Sequence, residues 1–166
     1  MICNLGSQHS LLNEFISEIR DIEIQNDALR FRKNLERIGE IFAYEISKKL
    51  SYRQREVVTL LGATEVPVLA EQPVIATILR AGLPMHYGFL NFFDKGHNAF
   101  VSAYRRHHKS GKFDIQIEYI SSPSLENKTL IISDPMLATG ASMLLTYKHL
   151  LGSGKPAHTH IATIIA

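Results

Sequence analysis

Apolar positions along the chain fall first at helical spacing and later at strand spacing. In "SLLNEFISEIRD", Leu12, Phe15 and Ile19 recur every three or four residues behind Ser10, which predicts a short capped helix. A longer stripe follows: Ala28, Phe31, Leu35, Ile38, Phe42, Ile46 and Leu50 share one face, with Arg30, Arg32, Lys33, Glu36, Arg37 and Glu40 off it. That is an amphipathic packing helix. From Ser51 to Gln72 the pattern is mixed and predicts one short strand or turn.

Beyond Gln72 the period changes. "VIATIL" (74–79) is a β-branched apolar run of the kind covered on both faces, followed by "RAGLP" and a helix with Pro84 in its first turn. "AFVSAY" (99–104) predicts a strand closed by the basic loop "RRHHKSGK", and "DIQIEYI" (114–120) alternates as a half-exposed strand does. After the turn "SSPSLENK" come a strand at 129–133 and a helix with Leu144, Tyr147 and Leu151 on one face, ended by Gly152 and Gly154. "HTHIATIIA" is a last strand, expected to be buried by helices on both faces. Strand–helix–strand order of this kind predicts a single α/β domain with a mainly parallel sheet flanked by helices. No repeat, low-complexity stretch or internal linker interrupts it.

Chemistry concentrates in "SDPMLATGAS" (133–142), where an apolar strand stops at one acid and a row of small residues opens into a helix. In open α/β sheets ligands settle at the carboxyl ends of strands, and a helix start there offers free N–H groups to an anion. Small groups at Ala138, Thr139, Gly140, Ala141 and Ser142 let a phosphate approach the backbone, and Thr139 and Ser142 add hydroxyls. Asp134 would repel that phosphate and suits sugar hydroxyls instead, so acid and cradle together suggest a ribose 5-phosphate. The lysine of a P-loop is absent. The alternative is a strand-to-helix turn that uses small residues for geometry alone.

Charge and composition narrow the classes. The chain has 166 residues, 45% hydrophobic, with a formal net charge of +2 and no run of five like charges. No basic face or recognition motif argues for nucleic acid. One cysteine, Cys3, excludes an internal disulfide and fits a reducing, cytoplasmic compartment. The first ten residues lack the pattern of a signal peptide, and no apolar stretch reaches membrane-spanning length.

The loop "DPMLATGAS" resembles the phosphoribosyl-pyrophosphate (PRPP) loop of the type I phosphoribosyltransferases, in the form found in uracil phosphoribosyltransferases, with one acid and a proline at its head. "ILRAGL" (78–83), "YRR" (104–106) and "RFRKNLERIGEIFAYE" (30–45) resemble that family's pyrophosphate loop, second-arginine segment and N-terminal helix. The resemblance implies N-terminal helices over about 10–50, a PRPP-binding core over about 74–166 and a β-hairpin arm over about 104–128. It implies formation of UMP and pyrophosphate from uracil and PRPP, with Mg²⁺ bound to PRPP, in a homodimer or higher homo-oligomer. Arg80 and Arg105 would hold the pyrophosphate, Asp134 would accept from the ribose hydroxyls, and Pro135, Met136, Leu137, Ala138, Thr139, Gly140, Ala141 and Ser142 would wrap the 5′-phosphate. Arg80, Arg105 and Asp134 are the implied catalytic residues.

Two departures stand out. Ala141 occupies the place of a usual second glycine, where a methyl narrows the backbone angles allowed. The family continues into a Gly-Asp-Ala stretch that reads uracil through main-chain contacts, whereas this sequence stops at Ala166. The expectation is that no residue of this chain reads uracil, and that it is a truncated or short form keeping the phosphate cradle without a closed base pocket. A PRPP-binding regulatory or inactive paralogue, and a phosphoribosyltransferase for another base, stay open beside the enzyme. His107 and His108 fit solvent-exposed loop residues. His158 and His160 share a strand face but lack the further ligands a metal site needs.

Overall fold

The computed structural model describes residues 1–107 and 113–166, and of residues 104–107 and 113–116 the backbone alone. Helix α1 spans Leu11–Arg20; Ser10 takes the extended N-cap conformation, although its hydroxyl makes no capping bond. Helix α2 spans Ala28–Ser47 and is capped by Asp27, whose carboxylate accepts from the Leu29 and Arg30 N–H groups, each at 3.0 Å. Its stripe buries Leu35, Ile38, Phe42 and Ala43.

Residues 51–72 depart from the expectation of one short strand or turn. They form a free-standing antiparallel hairpin, β1 (Tyr52–Thr59) and β2 (Gly62–Leu69), with Thr59 opposite Gly62. Both faces are largely exposed, so no apolar alternation marks it, and Pro67 inside β2 argues against a strand except at an edge. The bend is built locally: the Thr59 hydroxyl donates to the Gly62 carbonyl (2.8 Å) and Gly62 has φ of 131°.

The main sheet contains β3 (Val74–Leu79), β4 (His97–His107), β5 (Phe113–Ser121), β6 (Thr129–Ser133) and β7 (His158–Ala162), in the order β5-β4-β3-β6-β7. Every pair is parallel except β4 with β5. Strand β4 pairs with β3 only as far as Ser102; a register shift follows, and it continues with β5 alone. Helix α3 (Leu83–Phe92) follows β3 and helix α4 (Ala141–Leu150) follows β6.

These helices cover opposite faces. Ile75 and Ile131 pack with α1, α2 and α3, while Val74, Ala76, Leu130 and Ile132 pack with Met143 and Leu150 of α4. Two expectations fail here. Helix α4 buries Met143, Thr146 and Leu150, while Leu144 and Leu151 are exposed and Tyr147 is half-buried. The helix is apolar around most of its girth, so spacing alone does not choose the buried face. Strand β7 is not buried on both faces: it lies at the end of the strand order beside β6 alone, and Ile161, although in register with Ile132, is exposed and not covered as Ile132 is by α4.

Helices α2 and α3 meet backbone to backbone at two glycines. A methyl on Gly39 would lie 2.3 Å from the Met85 carbonyl oxygen, and one on Gly88 would lie 2.0 Å from that of Glu36. Neither neighbour is a side chain that can swing away. Gly88→Ala should therefore lower stability by about 1–3 kcal/mol or more, the range for overpacking, read from the denaturant midpoint. An unchanged midpoint would show that the two helices separate freely.

Candidate active site

The chain leaves β3 towards β4 on one side and places β6 on the other, so the carboxyl ends of β3 and β6 form a topological switch point, where ligands enter such sheets. Thr77 is the register partner of Ser133, and each strand then releases one of the loops singled out in the sequence.

After β3 the chain runs through Arg80 to Gly82, the residue that caps α3; the Leu79–Arg80 peptide is cis, and Arg80 is exposed. Gly82 is buried hard against the strand ends: a methyl there would sit 2.1 Å from Thr77 Oγ1 and 3.3 Å from the Ser133 carbonyl oxygen. Beneath the loops, the Thr77 hydroxyl donates to the Ser133 carbonyl (3.2 Å), and the Ser133 hydroxyl lies 3.1 Å from Thr77 Oγ1 and 3.3 Å from the Ala76 carbonyl. Both residues are fully buried.

After β6 comes Asp134, half-buried, with its pKa raised above the usual 3.8 chiefly because burial disfavours the charged form. The Met136 N–H, 3.5 Å from the Asp134 carboxylate, pulls the other way and is the smaller cause. Pro135 to Leu137 extend β6 beside the segment after β7. The Leu137 N–H donates to the Ile165 carbonyl (2.8 Å), and the Ile164 and Ile165 N–H groups reach the Pro135 carbonyl at 3.2 and 3.1 Å. An apolar pocket of about 300 Å³ lies against this pair, lined by Ile19, Phe31, Met136 and Ile165 together with Arg20 and Gln25.

The loop then turns sharply. Ala138 has φ of 46° and Gly140 has φ of 73°, both left-handed, and α4 starts at Ala141 without a side-chain cap. Gly140 has no side chain to cap the helix, and apart from the Ala141 N–H, which Thr139 Oγ1 approaches, the first-turn N–H groups, Ser142 among them, meet no capping side chain, the arrangement that favours an anion. The constraint attributed to Ala141 falls elsewhere: Ala141 is the first helical residue, and the left-handed angle is carried by Ala138. Thr139 is exposed, its Oγ1 3.5 Å from the Ala141 N–H.

The structure thus brings Arg80 and the run Asp134 to Ser142 to one edge of two adjacent strands. Arg105 lies three residues past Ser102, the register partner of Leu79, and so at the same end of the sheet; its side chain is outside the described residues, as are His107's side chain and His108. His158 and His160 are not part of this cluster. They pair in register with Thr129 and Ile131, their ring centroids 4.5 Å apart, and no group of three ligand-type side chains occurs among the described residues. Thr77, Ser133 and the close seat of Gly82 escaped the sequence reading; the available signal was two hydroxyl residues inside apolar strand runs.

The chain resembles known proteins in sequence and in fold. The family model described as uracil phosphoribosyltransferase matches residues 6–166. A uracil phosphoribosyltransferase of Porphyromonas gingivalis is 61% identical over 165 residues, covering 99% of this chain and 76% of that protein. Among solved structures, a protein of Aquifex aeolicus superposes with a TM-score of 0.82 at 25% identity, over 99% of this chain and 86% of that one. A hypoxanthine phosphoribosyltransferase of Staphylococcus aureus shares the fold at a TM-score of 0.55 and 17% identity, covering 80% and 62% respectively. With a family model spanning nearly its whole length and a relative of such high identity, the chain belongs to the uracil phosphoribosyltransferase family.

Proposed function

We propose that the protein transfers the 5-phosphoribosyl group of PRPP to uracil, giving UMP and pyrophosphate. The N1–C1 bond forms as the bond from C1 to the pyrophosphate oxygen breaks, and the N1 proton leaves to solvent. The observation that carries this reading is the meeting of two loops at the paired ends of β3 and β6, one bearing Arg80 and the other bearing Asp134 and an uncapped helix start. The readings as a binding-only paralogue or an enzyme for another base gain no support from the fold or from the relatives.

The residues divide the labour by charge. The backbone of Met136 to Ser142 and the α4 N–H groups bind the 5′-phosphate, and Asp134 orients the ribose by accepting from its hydroxyls. Arg80 and Arg105 stabilise the negative charge that gathers on departing pyrophosphate, an electrostatic contribution that often dominates such steps. Mg²⁺, when bound with PRPP, neutralises further charge on the same leaving group. The exposed Cys3, and described helices none of which is long and apolar enough to cross a membrane, fit a cytoplasmic enzyme.

The binding half of this reading is tested by calorimetry with PRPP and Mg²⁺. Asp134→Asn should weaken binding by about 1–3 kcal/mol, the cost of losing hydrogen bonds to a charged group. Acid adds a second arm. Protonation removes the acceptor, and burial raises the pKa, so the gap between parent and variant should close as pH falls, starting above the usual aspartate value of 3.8. Unchanged affinity in folded Asp134→Asn protein would remove the ribose assignment.

For the leaving group, Arg105→Ala should slow UMP formation, assayed in protein that carries the family's uracil-reading stretch, by roughly a hundredfold or more, as for other preorganised charge stabilisers. Its melting temperature should hold. Parent-like turnover would take Arg105 out of the site.

The protein also self-associates in this reading, as a homodimer or higher oligomer. The hairpin holds Leu60 and Leu61 fully in solvent at its tip and Val58 largely so, on a two-stranded sheet separate from the main one. Light scattering at micromolar concentration should give a multiple of 18.7 kDa, and a monomer would refute the assembly.

A further inference from the structure

From the contacts beneath the two loops we infer that Thr77 and Ser133 are positioning residues, a hydroxyl pair that fixes the pyrophosphate-side loop and the ribose-side loop relative to one another. The inference rests on the assignment of Arg80 and Asp134 to the PRPP site. Three features lead to it. The pair occupies the last register position shared by β3 and β6, immediately before the strands give way to loops. Thr77 stands three residues before Arg80, and Ser133 is bonded directly to Asp134 in the chain. Gly82, at the end of the Arg80 loop, rests on both members, with no room for even a methyl between it and Thr77 Oγ1.

The chemistry of the pair is complete within itself. Thr77 gives its proton to the Ser133 carbonyl, and Ser133 gives its own to Thr77 Oγ1 or the Ala76 carbonyl. Each hydroxyl is satisfied without water. A parallel ladder does not need these bonds, since its backbone groups already pair. Valine and alanine would fill the same volumes, and replacing both partners of a buried hydrogen bond by apolar groups of like shape is nearly neutral for folding. What the hydroxyls add is direction: they fix the lateral offset of the two strand ends. The loops leaving those ends must hold one substrate by its two charged extremities, and small misplacements of such groups are costly in rate.

The test uses Thr77→Val/Ser133→Ala, with Thr77→Val, Thr77→Ser and Asp134→Asn alongside. The double variant should melt within a few degrees of the parent. Its PRPP dissociation constant, by calorimetry with Mg²⁺, should rise about tenfold, and UMP formation at saturating substrate, in protein that carries the family's uracil-reading stretch, should slow by between about ten- and a hundredfold. Thr77→Ser keeps the hydroxyl and should recover most of what Thr77→Val loses. Adding Asp134→Asn to the double variant should weaken PRPP binding less than it does in the parent, because the carboxylate is already displaced.

Parent-like PRPP affinity and turnover in the double variant would overturn the inference, and so would a Thr77→Ser protein as impaired as Thr77→Val, which would make the effect one of packing. If the double variant does not fold, the Thr77→Val and Thr77→Ser comparison decides. Loss of PRPP affinity in Asp134→Asn alone, with the double variant unaffected, overturns positioning and leaves the site standing. Unchanged affinity in Asp134→Asn overturns both.

Discussion

Parallel pairing of β3 with β6, while the next strand in the chain lies on the far side of β3, makes the paired ends of these two strands a topological switch point from which two loops leave side by side. Each loop must run into a helix on the opposite face from the other, because Ile75 and Ile131 point to α3 while Ala76 and Ile132 point to α4. The ligand edge is thus bounded by two helix starts and floored by two strand ends. Slipping this pairing by one residue would exchange Ile131, which packs towards α3, with Leu130 and Ile132, which pack towards α4, and would part Thr77 from Ser133. Register, core and site are therefore one constraint viewed at different heights.

The glycines of the helical layer serve the same geometry from outside. Gly39 and Gly88 let α2 press on α3 at backbone distance. That contact holds α3 down on the sheet, and α3 begins at Gly82, on top of Thr77 and Ser133. A chain of close contacts therefore runs from the N-terminal helix to the arginine loop, and none of its links is a long side chain that could adjust. Exposed ion pairs such as Lys33–Glu36 and Lys48–Glu45 add little by comparison, since pairs of this kind contribute under about 1 kcal/mol.

What could be read in advance follows from which forces leave a mark on one strand of sequence. The α2 stripe and the continuous apolar runs of β3 and β6 are driven by burial, and burial writes periodicity directly. The place of the Asp134 loop, between the end of β6 and the start of α4, was legible because an apolar run stops there and small residues lead into a helix. The hairpin at 52–69 was not, since both its faces meet solvent and its order comes from cross-strand bonds. The buried face of α4 was misread because Leu144 and Leu151 look as apolar as Met143 and Leu150; only the sheet's position chooses between them. The edge status of β7 depends on strand order, which no local pattern encodes. Thr77 and Ser133 stayed silent for a related reason. Fifty-six positions apart in sequence, they acquire meaning only through their register.

The loop at the head of α4 runs against local preference in several ways at once. An alanine adopts a left-handed angle, a helix starts without a capping side chain, and a carboxylate is half-buried with its charged form disfavoured. Each is a small cost to folding, and elsewhere in the chain the same problems are solved cheaply, as Asp27 shows by capping α2. Costs gathered within nine consecutive residues, 134–142, and held by backbone bonds to Ile164 and Ile165, mark a segment shaped for a ligand rather than for stability. In the proposed reading a phosphate with an attached sugar would relieve them together, its anionic end meeting the N–H groups at the start of α4 and its hydroxyls meeting the half-buried carboxylate. That match between the loop's unmet groups and the functional groups of PRPP is the physical reason for placing the proposed chemistry here rather than elsewhere on the sheet.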